Sequence, residues 1–76
     1  MALKRPLNPM PAFVRAALED RGLIAAFAAR PAYQQNDWLG WIARAKREET
    51  RRTRLGRMLA ELEQGHGYMG MDWRPK

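Results

Sequence analysis

The 76-residue chain has no cysteine and a single histidine. Without cysteine there are no disulfides and no thiolate-based zinc or iron–sulfur sites, so apolar packing alone must hold the fold. A reducing compartment is compatible with this. The one histidine, His66, lies between Gly65 and Gly67 with no base or nucleophile beside it in sequence. General acid–base catalysis needs a held geometry, and a glycine-flanked imidazole is the opposite of one. Acidic residues are also few, eight against fourteen Lys and Arg. The sequence is therefore read as a non-enzyme, with no catalytic, cofactor-binding or metal-binding residues. His66, Met69 and Met71 form a short soft-ligand set of the kind that can hold Cu(I), but incidental tail methionines are the simpler reading. Gly65-His66-Gly67 lacks the preceding strand and following Lys-Ser/Thr of a phosphate loop.

Long hydrophobic runs are missing too. No stretch approaches the roughly 20 apolar residues that span a bilayer. Lys4 and Arg5 are not followed by an apolar signal segment, because Pro6, Pro9 and Pro11 interrupt it. Neither a membrane span nor a signal peptide is expected, and the expected location is the cytoplasm.

What is present is enough for one small domain. A chain this short buries only about 60% of the surface it exposes when unfolded, so its core is small. A hydrophobic fraction of 46% argues against wholesale disorder. The formal net charge of +6 attracts polyanions: nucleic acid, anionic lipid or acidic proteins. The plainer reading of that charge is a soluble, arginine-rich protein.

Residues 1–9 read as an extended arm, since Pro6, Pro9 and Pro11 fix φ and disfavour helix in the residues before them. Asn8-Pro9 reads as the start of a first helix, with Asn8 as N-cap. Met10, Phe13, Val14, Ala17 and Leu18 recur along it at helical spacing, and Gly22 stops it. A short second helix is expected from about Leu23 to Ala29, with Leu23, Ile24 and Phe27 apolar and Pro31 closing it. The third helix is expected from about Tyr33 to Lys46. Trp38, Trp41, Ile42 and Ala45 form its stripe at i, i+3, i+4 and i+7.

The fourth helix is expected from about Glu49 to Gln64, where Leu55, Met58, Leu59 and Leu62 repeat that pattern. Glu48 can pair with Arg52 and Arg57 with Glu61, each at i, i+4. The third-helix stripe extrapolates through Glu49 and Arg52 and misses Leu55, which favours a break around 46–49. Thr50 then reads as a cap for the fourth helix. After Gly65 the chain loosens at Gly67 and Gly70 into a flexible tail, in which Tyr68 and Trp73 are candidates to dock on the bundle.

From Tyr33 to Leu62 the chain carries Trp41-Ile42, Ala45-Lys46-Arg47, Glu49-Thr50-Arg51 and a basic residue at Arg54. This run resembles the bacterial YdeI/OmpD-associated (OmdA-like) family, whose label mentions bacteriocin protection. The lead-in from Asn8-Pro9 to Leu18 is similar as well, so the resemblance covers roughly residues 8–64. Two departures stand out: many members carry a separate preceding domain, and many have proline where this chain has Glu48. The resemblance implies a small all-α domain and no known catalytic activity.

The basic stretch is the serious functional candidate. On a continuous helix Arg44, Arg47, Arg51 and Arg54 would share one face, flanked by Lys46, Arg52 and Arg57. Such a stripe can meet an acidic protein partner or, alternatively, neutralise phosphates in salt-sensitive, non-specific nucleic-acid binding. The bland reading is a solvated face offset by Glu48, Glu49 and Glu61, or arginines that brace a helix junction. Nothing identifies a base-reading helix.

The expected architecture is all-α: a compact bundle of about four short helices over residues 10–64, an extended arm at 1–9 and a flexible tail at 65–76. The expected core is Phe13, Leu18, Ile24, Phe27, Trp38, Trp41 or Ile42, Leu55, Leu59 and Leu62. The expected function is a non-enzymatic interaction module that uses the Arg-rich junction.

Overall fold

The computed structural model describes residues 7–75. Residues 1–6 of the arm and the final Lys76 lie outside the described residues. Among the described residues four helices make a small bundle: α1 (Ala12–Arg21), α2 (Ile24–Ala28), α3 (Ala32–Arg44) and α4 (Glu48–Gln64).

Helix α1 does not start at Asn8. Its N-cap is Pro11, whose carbonyl accepts the Val14 and Arg15 N–H groups. A proline at 11 pushes Met10 out of the helical region, so a helix begun at Pro9 would be interrupted at once. Asn8 has another task. Its backbone N–H donates to Asn36 Oδ1 at 2.6 Å and its side-chain amide donates to the Asn36 carbonyl at 3.0 Å, which straps the arm across α3. The strap lies close to Gly40: a Cβ there would stand 2.6 Å from Asn8 Nδ2.

At its other end α1 stops at Gly22, which is left-handed at φ 68°. Gly22 N–H donates to Glu19 O and Leu23 N–H to Leu18 O, the paired bonds of a Schellman turn. Leu18 and Leu23 are both buried beneath that turn.

The core consists of Val14, Leu18, Leu23, Phe27, Trp38, Leu39, Ile42, Met58, Leu59, Leu62 and Tyr68. Two expected members are not in it. Phe13 is 41% exposed and Ile24 38% exposed, because each lies one residue, about 100° of helix, from an inward-facing i, i+4 pair. Those pairs are Val14 with Leu18, and Leu23 with Phe27. Leu55 is half-buried against the core, and so is Trp41, leaving Ile42 as the buried member of its pair.

Helices α3 and α4 are separate. Ala45 (ψ 124°) and Arg47 (ψ 141°) are extended, and Arg47 is the N-cap of α4. The break therefore falls at 45–47, slightly before the expected position. Thr50 does not cap α4, because the helix has already begun at Glu48 and Thr50 lies inside its first turn. Glu48 and Glu49 occupy that turn, where the helix dipole favours negative charge. Gly65, at φ 81°, ends α4 as expected.

Tyr68 and Trp73 both dock. Tyr68 is buried, with its ring 5.4 Å from that of Trp38, and its hydroxyl donates to Asp37 Oδ2 at 2.6 Å. Tyr68 and Met71 exchange backbone hydrogen bonds around a tight turn at Met69 and Gly70, where both φ values are positive (50° and 80°). That is the backbone of a type I′ turn, which a methionine enters only at a steric cost. Gly67 N–H then donates to the Trp73 carbonyl at 2.7 Å.

Candidate functional site

Two polar constellations stand out, one buried beneath the tail and one at the α3–α4 junction. In the first, Arg30 is only 6% exposed. Its Nη1 donates to Gln34 Oε1 (3.1 Å) and the Gly67 carbonyl (2.7 Å), and its Nη2 donates to the Glu61 carbonyl (2.9 Å). The guanidinium also lies against two aromatic rings, 4.3 Å from the centre of Trp73 and 5.0 Å from that of Trp38. Burial lowers the Arg30 pKa from its ordinary value, opposed by the nearby Glu61 carboxylate.

Glu61 is buried as well. Its two carboxylate oxygens accept the N–H groups of Met69 (2.9 Å) and Gly70 (2.8 Å), so one side chain holds both central amides of the turn. The expected Arg57–Glu61 pair is not among the ion pairs of the described residues; Glu61 faces the tail instead. Arg30 and Glu61 bind neutral groups of this same chain, and their role is to fasten residues 67–73 to the bundle.

The junction is different. Seven cations and two acids lie between Arg44 and Arg57, so this stretch carries +5 of the chain's formal +6. The break at 45–47 interrupts the helix on which Arg44, Arg47, Arg51 and Arg54 would share a face. Two of the four turn back onto α3. Arg51 donates through Nε (3.4 Å) and Nη2 (3.2 Å) to the Ala45 carbonyl. Arg54 donates to the Trp41 carbonyl at 2.6 Å and lies 5.2 Å from the centre of the Trp41 ring. These carbonyls belong to the end of α3, where intrahelical donors run out. Hydrogen bonds from a charged donor contribute about 1.5–3 kcal/mol each.

The other five cations are exposed. Arg44 is the last residue of α3, Lys46 lies in the connection and Arg47 caps α4. Arg47 Nη1 stands 3.8 Å from Glu49 Oε1, and Arg52 is 3.1 Å from Glu48. In both pairs every partner is at least three-quarters exposed, so each contributes only about 0–1 kcal/mol and exchanges readily. Arg57 sits apart, lining a shallow cavity with Glu61, His66 and Gly70.

Beside the junction is a feature that sequence reasoning missed. A cavity of about 410 Å³ is lined by Phe13, Glu48, Arg51, Arg52 and Leu55. Phe13 and Leu55 are expected in the core from their spacing, and only the rotation of α1 and α4 tells that they face this slot. Arg30 and Glu61 were also missed as partners of the tail; Pro31 after Arg30, with Gln34 four residues on, is the faint local signal. Of the tail's soft-ligand set, His66 and Met71 are exposed, while Met69 packs against the core. Among the described residues no group of three or more His, Cys, Asp or Glu side chains could hold a metal ion, and no helix is long and apolar enough to cross a membrane.

A family model described as OmdA, bacteriocin-protection, YdeI or OmpD-associated, matches residues 9–65, three-quarters of the chain. No curated protein and no solved structure matches it.

Proposed function

From the premise that the chain belongs to the bacteriocin-protection, YdeI or OmpD-associated family, we propose that it is a non-enzymatic interaction module that holds an acidic protein partner at the α3–α4 junction. The family's label names a phenotype and no reaction. The observation that carries the reading is the concentration of charge: six cations against two acids from Arg44 to Arg54, +4, presented at a chain reversal. Arg51 and Arg54 act as braces. By tying α4 to the last carbonyls of α3 they hold the connection in one shape, so Arg44, Lys46, Arg47 and Arg52 meet a partner with little ordering still to be done. Surface charge of one sign speeds encounter with a partner of the other and makes binding sensitive to salt.

A protein partner fits better than nucleic acid. Continuous tracking of a phosphate backbone uses a row of free cations, and this row is interrupted where Arg51 and Arg54 fold back. The test is a fluorescence titration with a labelled glutamate-rich peptide and a labelled DNA duplex, each at low and physiological salt. The variant combines Arg44→Glu, Lys46→Glu and Arg47→Glu, three exposed positions outside the braces. The peptide is expected to bind the unmodified protein and to lose most of its affinity for the variant. Peptide binding unchanged in the variant, or DNA bound more tightly than the peptide, overturns the proposal.

A further inference from the structure

Resting on the reading of the junction as an interaction surface, we infer that the slot between Phe13 and Leu55 is an anchor site for an apolar side chain of an acidic, amphipathic protein segment. The slot follows from how α1 and α4 are set. Arg21 at the end of α1 pairs with Glu63 near the end of α4 at 3.3 Å, while Phe13 near the start of α1 faces Glu48–Leu55 at the start of α4. The two helices therefore run parallel, tied at their C-terminal ends. The 410 Å³ cavity opens at their N-terminal ends, beside the charged connection.

Single exposed apolar side chains are ordinary on protein surfaces. Here the two line one concavity, and its rim is polar. Phe13 is 41% exposed beside a fully buried Val14, so its ring lies outside the core the bundle has already closed. Arg51 lines the slot with its guanidinium held by the Ala45 carbonyl, which makes that wall a fixed one. Arg52 lines it with its guanidinium on Glu48, in a pair so exposed that a partner carboxylate can replace Glu48 at little cost. An apolar pocket ringed by groups that exclude water or pair with charge is the usual form of a binding hot spot.

Charge complementarity selects the occupant. The flanking stretch from Arg44 to Arg54 is +4, so the segment that enters is negatively charged around its anchor. A phosphate backbone brings the charge without an apolar side chain, and an uncharged hydrophobic peptide brings the reverse. A protein segment that alternates Glu or Asp with Leu or a similar residue brings both.

The experiment uses the full chain and two labelled synthetic peptides. Both are short and glutamate-rich; one carries two leucines a helical turn apart, and the other has glutamine in their place. Burial of a leucine side chain corresponds to roughly a tenfold or larger gain in affinity, so the leucine peptide is expected to bind that much more tightly. Phe13→Ala is expected to erase the difference while leaving the glutamine peptide's binding unchanged. Equal affinity of the two peptides for the unmodified protein overturns the anchor and leaves the acidic-partner reading standing. Failure of both peptides to bind at low salt overturns both. A spin label beside the leucines supplies a measurement that needs no variant. Broadening of the Phe13 and Leu55 signals is expected, and broadening confined to residues 66–75 overturns the assignment.

Discussion

The Arg30 guanidinium lies 4.3 Å from the centre of the Trp73 ring, joining the α2–α3 connection to the segment after the Met69-Gly70 turn. A cation on an aromatic face contributes about 0.5–1 kcal/mol in the open and about 2 kcal/mol when desolvated. Arg30 is buried and Trp73 half-buried, so this contact belongs near the upper figure. Trp73→Ala is expected to lower stability by about 1–3 kcal/mol, measured as the midpoint of urea unfolding. An unchanged midpoint would mean that the ring adds nothing to the bundle.

Glu61 gives a sharper test of the same attachment. An ionised carboxylate can accept the Met69 and Gly70 N–H groups together; a carboxamide accepts through one oxygen and turns an NH₂ toward the other donor. Glu61→Gln is expected to cost about 1–3 kcal/mol and to speed amide exchange at Met69 and Gly70 ahead of the helices. Exchange at those two amides that keeps the unmodified rate contradicts the assignment.

Braces and free cations at the junction should separate in stability. Arg54→Ala removes the hydrogen bond to the Trp41 carbonyl and uncovers the Trp41 ring, with an expected loss of about 1.5–3 kcal/mol. Arg47→Ala, at a side chain 80% exposed, is expected to change stability by no more than about 0.5 kcal/mol. Thermal melts of the two variants compare them directly, and equal losses would remove the distinction.

The strap over α3 predicts a coupling. Alanine in place of a mid-helix glycine stabilises by about 0.8–1 kcal/mol where there is room, but at Gly40 the added Cβ meets the Asn8 amide. Gly40→Ala alone is therefore expected to be neutral or destabilising. Combined with Asn8→Gly, which clears the amide and leaves only the movable Arg44 guanidinium 3.0 Å from the added Cβ, the same change is expected to cost less than it does alone. A double-mutant cycle on denaturation free energies reads this, and additive effects would contradict the close contact.

The long helices were legible in the sequence. Trp38, Ile42 and Ala45 recur at helical spacing and are all buried, and Met58, Leu59 and Leu62 do the same on α4. The break between α3 and α4 was legible as a shift of stripe phase, to within a residue or two. The short elements were not. In α1 Phe13 has more apolar surface to bury than its neighbour Val14, yet α1 presents Val14 inward, because the Leu18–Leu23 turn fixes its rotation.

The polar core was hidden for a different reason. Periodicity assigns Arg30 and Glu61 to water, and they are buried because the tail supplies carbonyl and amide partners from residues 67–70. Such long-range pairing leaves no local pattern. At the junction the seven cations were plain to see, but which of them fold back on carbonyls depends on where α3 ends.

The most direct test of the central claim, that the junction and its slot receive an acidic partner, is a residue-resolved NMR titration with the leucine-bearing acidic peptide. Backbone shifts are expected to concentrate at Phe13, from Arg44 to Arg47 and from Glu48 to Leu55, and to fade as salt is raised. Shifts centred on residues 66–75, or spread evenly over the fourteen cations, would contradict it.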